Sequence, residues 1–369
     1  SRGRMPSLLR GLSRALLDPG GPYLFVRLVL AGYAISAVGR LIPVRRKQTA
    51  EYRRRPARTA ALGATALAVA AAAVAAPYVL GSPATPAPRP TAARPVGHEI
   101  SQQKYLGVFE PAEELSYNQV TAFGNAVGRQ PDIVLDYAGW NESFSLRFAQ
   151  TLLDHGAEPL IQLEPTGASM SAIAAGDYDG YLRSYARQVR AFGHPVILSF
   201  APEANGSWYT WGWTHTSPAT WIAAWRHVVT VMRQQGATNI TWLWTLNISF
   251  PGSGPVRDYW PGAAYVNWVG IDGYFIRPRA TFGSVFERTL RAVRKITRLP
   301  VLLSETGAGQ VAGQAKVIPG LFAAIKSHDL LGLVWFDKAQ YRGLYHQDWR
   351  LEGHPAAVAA FRHALASMK

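Results

Sequence analysis

The sequence predicts a (β/α)8 TIM barrel, an α/β fold, preceded by a membrane-associated helical arm. Three observations carry this. Short apolar runs of strand length recur eight times over roughly 250 residues, with helical patterns between them. The fourth and seventh of these runs are followed closely by glutamates, Glu203 and Glu305. Ahead of them lie a basic segment, an uncharged stretch of bilayer-spanning length and a proline-rich spacer.

The arm accounts for most of the charge. Of the formal +15, residues 1–58 hold 13 Lys+Arg against 2 Asp+Glu, and the rest of the chain is only weakly basic. Hydrophobic segments adjoin this basic run and no nucleic-acid motif lies in it, so it points to a membrane and away from nucleic acid. Residues 6–17 set Leu8, Leu9, Leu12, Leu16 and Leu17 among Arg10 and Arg14. That fits a helix lying on a bilayer and equally an ordinary surface helix. Residues 22–43 are apolar but contain Arg27 and Arg40, so an imperfect span, an interfacial helix and a partner-docking helix all stay open.

Residues 1–58 are thus expected to be a basic cytoplasmic arm. Residues 59–81, uncharged and rich in Ala, Val and Leu, match a transmembrane signal anchor whose arginine-dense flank stays inside. Cleavage near Ala84 or Ala87 is the alternative and would release a secreted domain. Residues 82–97 carry Pro83, Pro86, Pro88, Pro90 and Pro95, a stiff spacer, and 98–369 is the barrel domain, outside the cytoplasmic membrane. Cysteine is absent, which excludes disulfides, thiolate metal sites and cysteine nucleophiles.

The expected strands are 105–109, 133–137, 159–163, 195–200, 240–246, 266–271, 300–303 and 331–336. Helical patterns occupy 178–192, 218–235, 282–298 and 315–328, and a helix over 355–367 closes the domain. In such a barrel, chemistry collects at the C-terminal strand ends. Strands four and seven then bring Glu203 and Glu305 to one mouth, and two carboxyl groups there are the equipment for cutting a glycosidic bond. A gap of about 5–5.5 Å would mean retention and about 6.5–9.5 Å inversion; the sequence leaves both open. Trp208, Tyr209, Trp211 and Trp213 follow Glu203 and offer flat faces for a sugar ring. Asp136, Trp140, Asn247, Asp272 and Asp337 also fall at strand ends and are candidate subsite residues.

Several motifs in combination resemble glycoside hydrolase family 26. They are Gly-Asp-Tyr-Asp-Gly-Tyr from Gly176, Phe-Ala-Pro-Glu-Ala-Asn-Gly-Ser-Trp-Tyr-Thr-Trp-Gly from Phe200, Ala-Trp-Arg-His-Val-Val from Ala224 and Gly-Ala-Thr-Asn-Ile-Thr-Trp-Leu-Trp from Gly236. Tyr-Trp-Pro-Gly from Tyr259, Asn-Trp-Val-Gly-Ile-Asp-Gly-Tyr ending at Tyr274, Glu-Thr-Gly from Glu305 and Val-Trp-Phe-Asp from Val334 complete the set. The similarity spans nearly all of 98–369 and none of the arm. It implies a retaining clan A barrel of the β-mannanase or endo-β-glucanase type.

It also implies that Glu203 is the acid/base, Glu305 the nucleophile and Tyr274 the phenol that orients the nucleophile. Asn205 and Trp208 would contact sugar beside the acid, Trp335 would form an aromatic floor, and Glu164 would bind hydroxyl groups. The sequence departs from the family in places. Members usually carry His directly before the acid and Arg four residues before it; here these are Pro202 and Ser199, and Ala204 replaces a frequent Met.

The expected function is therefore a retaining, endo-acting hydrolase of β-linked polysaccharide that needs no metal and no cofactor. No histidine pair has metal-ligand spacing. Expected partners are the polysaccharide, the lipid bilayer and a membrane-bound polysaccharide synthase docked on the arm. The competing reading is a catalytically weak or inactive carbohydrate-binding subunit of an envelope polysaccharide complex.

Overall fold

Strands form where apolar, β-branched runs can be covered on both faces. They are β1 (Tyr105–Phe109), β2 (Ile133–Gly139), β3 (Glu158–Glu164), β4 (Val196–Phe200), β5 (Ile240–Asn247), β6 (Trp268–Phe275), β7 (Val301–Ala308) and β8 (Gly332–Phe336). All eight run parallel and close in sequence order, with β8 returning to β1. This computed structural model describes residues 104–111, 116–339 and 347–368; the arm, anchor and linker expected over 1–97 lie outside the described residues. Among the described residues, no helix is long and apolar enough to cross a membrane.

The helices between strands are α1 (Asn118–Val127), α2 (Leu146–Asp154), α3 (Met170–Ala175), α4 (Asp179–Phe192), α5 (Pro218–Gln234), α6 (Phe282–Val285), α7 (Glu287–Arg294), α8 (Gln314–Ser327) and α9 (Pro355–Ala366). Their starts and faces follow local chemistry. In α5 the Ser217 side chain accepts the Thr220 N–H, Pro218 occupies the first turn, and Trp221, Ala224, Trp225 and Val228 make one buried stripe. The single helix expected over 282–298 is instead two. It breaks at Phe286, whose buried ring packs on Phe275 and Phe282, and it ends at Arg294.

Period-two alternation splits the core into two layers. Ile133 and Leu135, Leu160, Ile197, Leu243, Trp268, Leu302, Val334 and Phe336 fill the barrel interior. Their strand neighbours Val134, Ile161, Leu198, Trp242, Val269, Leu303 and Trp335 face the helices. Above the apolar floor the interior turns polar, with Gln162, Ser199, Thr245 and Ser304 all buried. Ser199 donates to Thr245 at 2.7 Å and Ser304 to Asp272 at 2.6 Å, so the layer satisfies much of its own hydrogen bonding.

β6 and β7 run past their expected ends, to Phe275 and Ala308. Tyr274 and Glu305 therefore lie within strands rather than beyond them. Register shifts fall between Gly270 and Asp272 on one side of β7 and between Leu303 and Thr306 on the other, flanking Glu305. Such irregularities re-aim a side chain, here one that both strand neighbours support.

Candidate active site

The backbone after β4 leaves the strand sharply: Ala201 and Glu203 adopt φ 45° and 54°, a left-handed region that non-glycine residues avoid. The surroundings hold it there. Ala201 N–H donates to Leu163 O at 3.0 Å, Trp211 Nε1 to Pro202 O at 2.7 Å, and Glu203 N–H to Thr245 O at 3.0 Å. Strain of this kind, about 1–3 kcal/mol per residue, persists only where it is over-determined. Gly206 is needed beneath the Trp208 ring, because a Cβ there would run into the indole.

This turn puts the Glu203 carboxyl, almost wholly buried, between two donors. Asn247 Nδ2 reaches Oε1 at 2.5 Å and Trp208 Nε1 reaches Oε2 at 2.9 Å. Glu305 comes from β7, near enough for its charge to act on Glu203. Its Oε1 accepts from the Tyr137 hydroxyl and from Gln162 Nε2 at 3.0 Å, and its Oε2 from the Tyr274 hydroxyl at 2.7 Å. Asn247, Asp272 and Glu305 occupy matching register positions on β5, β6 and β7, which forms a polar row along that side of the mouth.

Electrostatics separate the two glutamates. Burial, and then the negative charge of Glu305, push Glu203 up to about 8, against the opposing pull of Asn247 and Trp208. Burial also raises Glu305, but hydrogen bonds from Tyr137, Tyr274 and Gln162 counter it. The proton of the pair therefore rests on Glu203. Glu164, half-buried and 3.1 Å from the Tyr209 hydroxyl, is raised to about 7, chiefly by burial.

Residues 177–349 match the sequence profile described as glycosyl hydrolase family 26. The chain carries a family 26 domain. Over 269 residues it is 30% identical to Endoglucanase H of Acetivibrio thermocellus, covering 68% of this chain and 29% of that protein. It is 29% identical over 174 residues to Beta-1,3-xylanase TXYA of a Vibrio species, covering 43% of this chain and 36% of the relative. The chain thus spans about a third of the length of these curated relatives. A solved Cellulomonas fimi endo-β-1,4-mannanase double mutant superimposes with TM-score 0.56 at 17% identity, covering 72% of this chain and 71% of that one. That likeness concerns the fold alone.

Glu203, Tyr274, Trp208 and Glu164 thus meet at the mouth with Glu305. The structure ties four other expected sugar contacts to protein partners. Trp335 has the parity of Leu333, so it points into the helix layer, edge-on to Phe361, and its indole N–H donates to Trp349 O. Trp140 is buried among Tyr178, Tyr181 and Phe200 rather than facing the mouth. Asn205 is fully buried, with both ends of its amide tied to the backbone of Asn247. Asp272 is fully buried in register with Glu305 and accepts from the Ser304 hydroxyl, and burial followed by the charges of Glu305 and Glu203 drives its acidity down.

Of the remaining strand-end candidates, Asn247 binds Glu203, whereas Asp337 accepts the Leu351 N–H at 2.8 Å. Asp136 shares the parity of Val134 and its Oδ1 accepts the Tyr137 N–H. Sequence reasoning missed Tyr137 and Gln162. Parity would have found both, since Tyr137 alternates with Leu135 and Gln162 with Leu160, two residues of the interior. At the positions where the resemblance expects Arg and His stand Ser199, bonded to Thr245, and Pro202, whose carbonyl holds Trp211.

Proposed function

We propose that this chain is a retaining, endo-acting glycoside hydrolase of β-linked polysaccharide. The observation that carries the reading is the contrast between two neighbouring carboxyl groups at the end of the barrel. Glu203 keeps its proton to about pH 8, while three donors favour the charged form of Glu305.

In the first step a Glu305 oxygen attacks the anomeric carbon as the glycosidic C–O bond breaks, and Glu203 delivers its proton to the leaving oxygen. A covalent glycosyl-enzyme results. In the second step Glu203, now a carboxylate, takes a proton from water as that water attacks the same carbon. Glu305 leaves, and both groups return to their starting states. Trp208 serves twice: its indole N–H fixes Glu203, and its half-buried ring, stacked 6.3 Å from Phe250, borders the leaving-group side.

β-Mannan and β-1,3/1,4-glucan are the substrates favoured, from the family 26 domain and the endoglucanase relative. The basic, apolar and proline-rich composition of 1–97 supports a tether to the cytoplasmic membrane with the barrel outside, within reach of a polysaccharide synthase. Reducing-end release from β-mannan, mixed-linkage β-glucan, cellulose, β-1,4-xylan and β-1,3-xylan tests the activity. Cleavage of at least one, lost in Glu305→Ala with binding kept, is the expected result. Silence on all five by folded protein, with no labelling of Glu305 by a mechanism-based fluorosugar, would leave the non-catalytic binding subunit as the better reading.

A further inference from the structure

The geometry points to Tyr137 and Gln162 as positioning residues that hold Glu305 ionised and select its Oε2 as the attacking oxygen. The inference rests on reading Glu305 as the nucleophile. Both residues lie outside the 177–349 stretch that matches the family profile.

A buried carboxylate needs a cation or several donors to stay charged. Around Glu305 the titratable groups are Tyr137 from β2, Glu164 from β3, Glu203 and Tyr209 from the end of β4 and its loop, and Asp272 and Tyr274 from β6. All are acids or phenols. Among the described residues, no Lys, Arg or His is hydrogen-bonded or ion-paired to Glu164, Glu203, Asp272 or Glu305. β5 adds only the neutral Asn247, whose amide faces Glu203. The charge on Glu305 therefore depends on neutral donors.

Tyr274 is one of these, and Tyr137 and Gln162 are the other two. Each is fixed from below. Tyr137 rises from the apolar interior of β2 with its ring edge-on to Phe109 at 5.2 Å, and Gln162 is buried in β3 beside Ser199. Burial and the charge of Glu305 keep the Tyr137 phenol protonated, so its O–H is available to donate to Glu305.

The division of donors between the two oxygens has a chemical consequence. A carboxylate oxygen offers two lone pairs in its plane. Oε1 accepts two hydrogen bonds and is saturated, whereas Oε2 accepts one, from Tyr274, and keeps a lone pair. Attack from Oε2 breaks no contact of Tyr137 or Gln162. Both continue to hold Oε1 as it becomes the carbonyl oxygen of the glycosyl ester.

The test titrates Glu305 directly, by carboxyl carbon-13 NMR of glutamate-labelled protein with Glu305→Gln assigning the resonance. Tyr137→Phe, Gln162→Leu and the double variant are compared with wild type. Removing a donor to the charged form raises the midpoint, by about one pH unit for each single change and more for the pair. The acidic limb of kcat/KM moves up with it, a roughly tenfold loss on that side of the profile per unit, with KM nearly constant. An unmoved midpoint in folded Tyr137→Phe overturns the inference, and that variant, lacking one hydroxyl, decides the matter even if Gln162→Leu fails to fold. Because the titration needs no turnover, a wild type that cleaves nothing would refute the proposed function while the midpoint still judges Tyr137 and Gln162.

Discussion

Asn205 and Asn247 clasp each other across the ends of β4 and β5. The Asn205 amide donates to Asn247 O at 2.8 Å and accepts the Asn247 N–H at 3.0 Å. Asn247 in turn donates 2.5 Å to Glu203. A residue expected to touch sugar thus lies one step back, fixing the residue that binds Glu203.

Asn205→Ala should therefore lower both stability and turnover. It leaves a buried N–H and a buried carbonyl without partners, at about 1–3 kcal/mol each. Thermal unfolding should show the loss, and kcat should fall more than KM rises. A wild-type melting temperature with only KM changed would restore the sugar-binding role.

The pH profile should carry the signature of Glu203. Protonation of the leaving oxygen requires the acid form, and the Glu203 carboxyl is raised to about 8, so kcat/KM should fall as pH rises through that region. Glu203→Ala should lose most of kcat/KM on polymer but little of kcat/KM on an aryl glycoside whose leaving group needs no proton, while kcat on the aryl glycoside falls because the second step lacks its base. Equal losses on both substrates would reject the assignment.

Stability should also respond to this carboxyl. Its folded value lies above the ordinary carboxylate range, so its contribution is full below about pH 4.5 and is lost as pH rises through about 8. Glu203→Gln removes that loss. The stability of the variant relative to wild type should rise from pH 4 to pH 8 by an amount on the order of a few kcal/mol, starting below wild type at pH 4 because the amide nitrogen cannot accept from both Asn247 and Trp208. Chemical denaturation at the two pH values measures the difference; an equal difference at both would contradict it.

Tryptophans on opposite sides of the barrel wall should behave differently. Trp335 is fully buried against Phe361, so Trp335→Ala should destabilise by about 3–5 kcal/mol through the cavity it leaves. Trp208→Ala should spare the fold far more and damage turnover, because it frees Oε2 of Glu203 from its donor. Denaturation and steady-state kinetics on the two variants give the comparison.

Much of the barrel is legible along the chain. Eight apolar runs mark the strands, since strands covered on both faces must be hydrophobic throughout, and Ser217-Pro218 announces α5 before its stripe begins. Less visible was how far β6 and β7 continue. Their upper halves, Asp272 to Phe275 and Ser304 to Ala308, are rich in polar residues and glycine, and look like loop until the neighbouring strands supply their hydrogen bonds.

Composition and local pattern determined, without coordinates, the fold class and the two glutamates, whereas the tyrosine of β6 came from the family resemblance alone. Direction is another matter. Whether Trp335 faces sugar or helix, whether Asn205 binds substrate or backbone, and which donors share Glu305 are set by strand parity, by two register shifts and by the left-handed turn at Ala201 and Glu203. These are properties of strands closed on one another. A residue's identity is local, but the side of the wall it occupies depends on partners more than a hundred positions away, such as Tyr137 and Gln162 for Glu305.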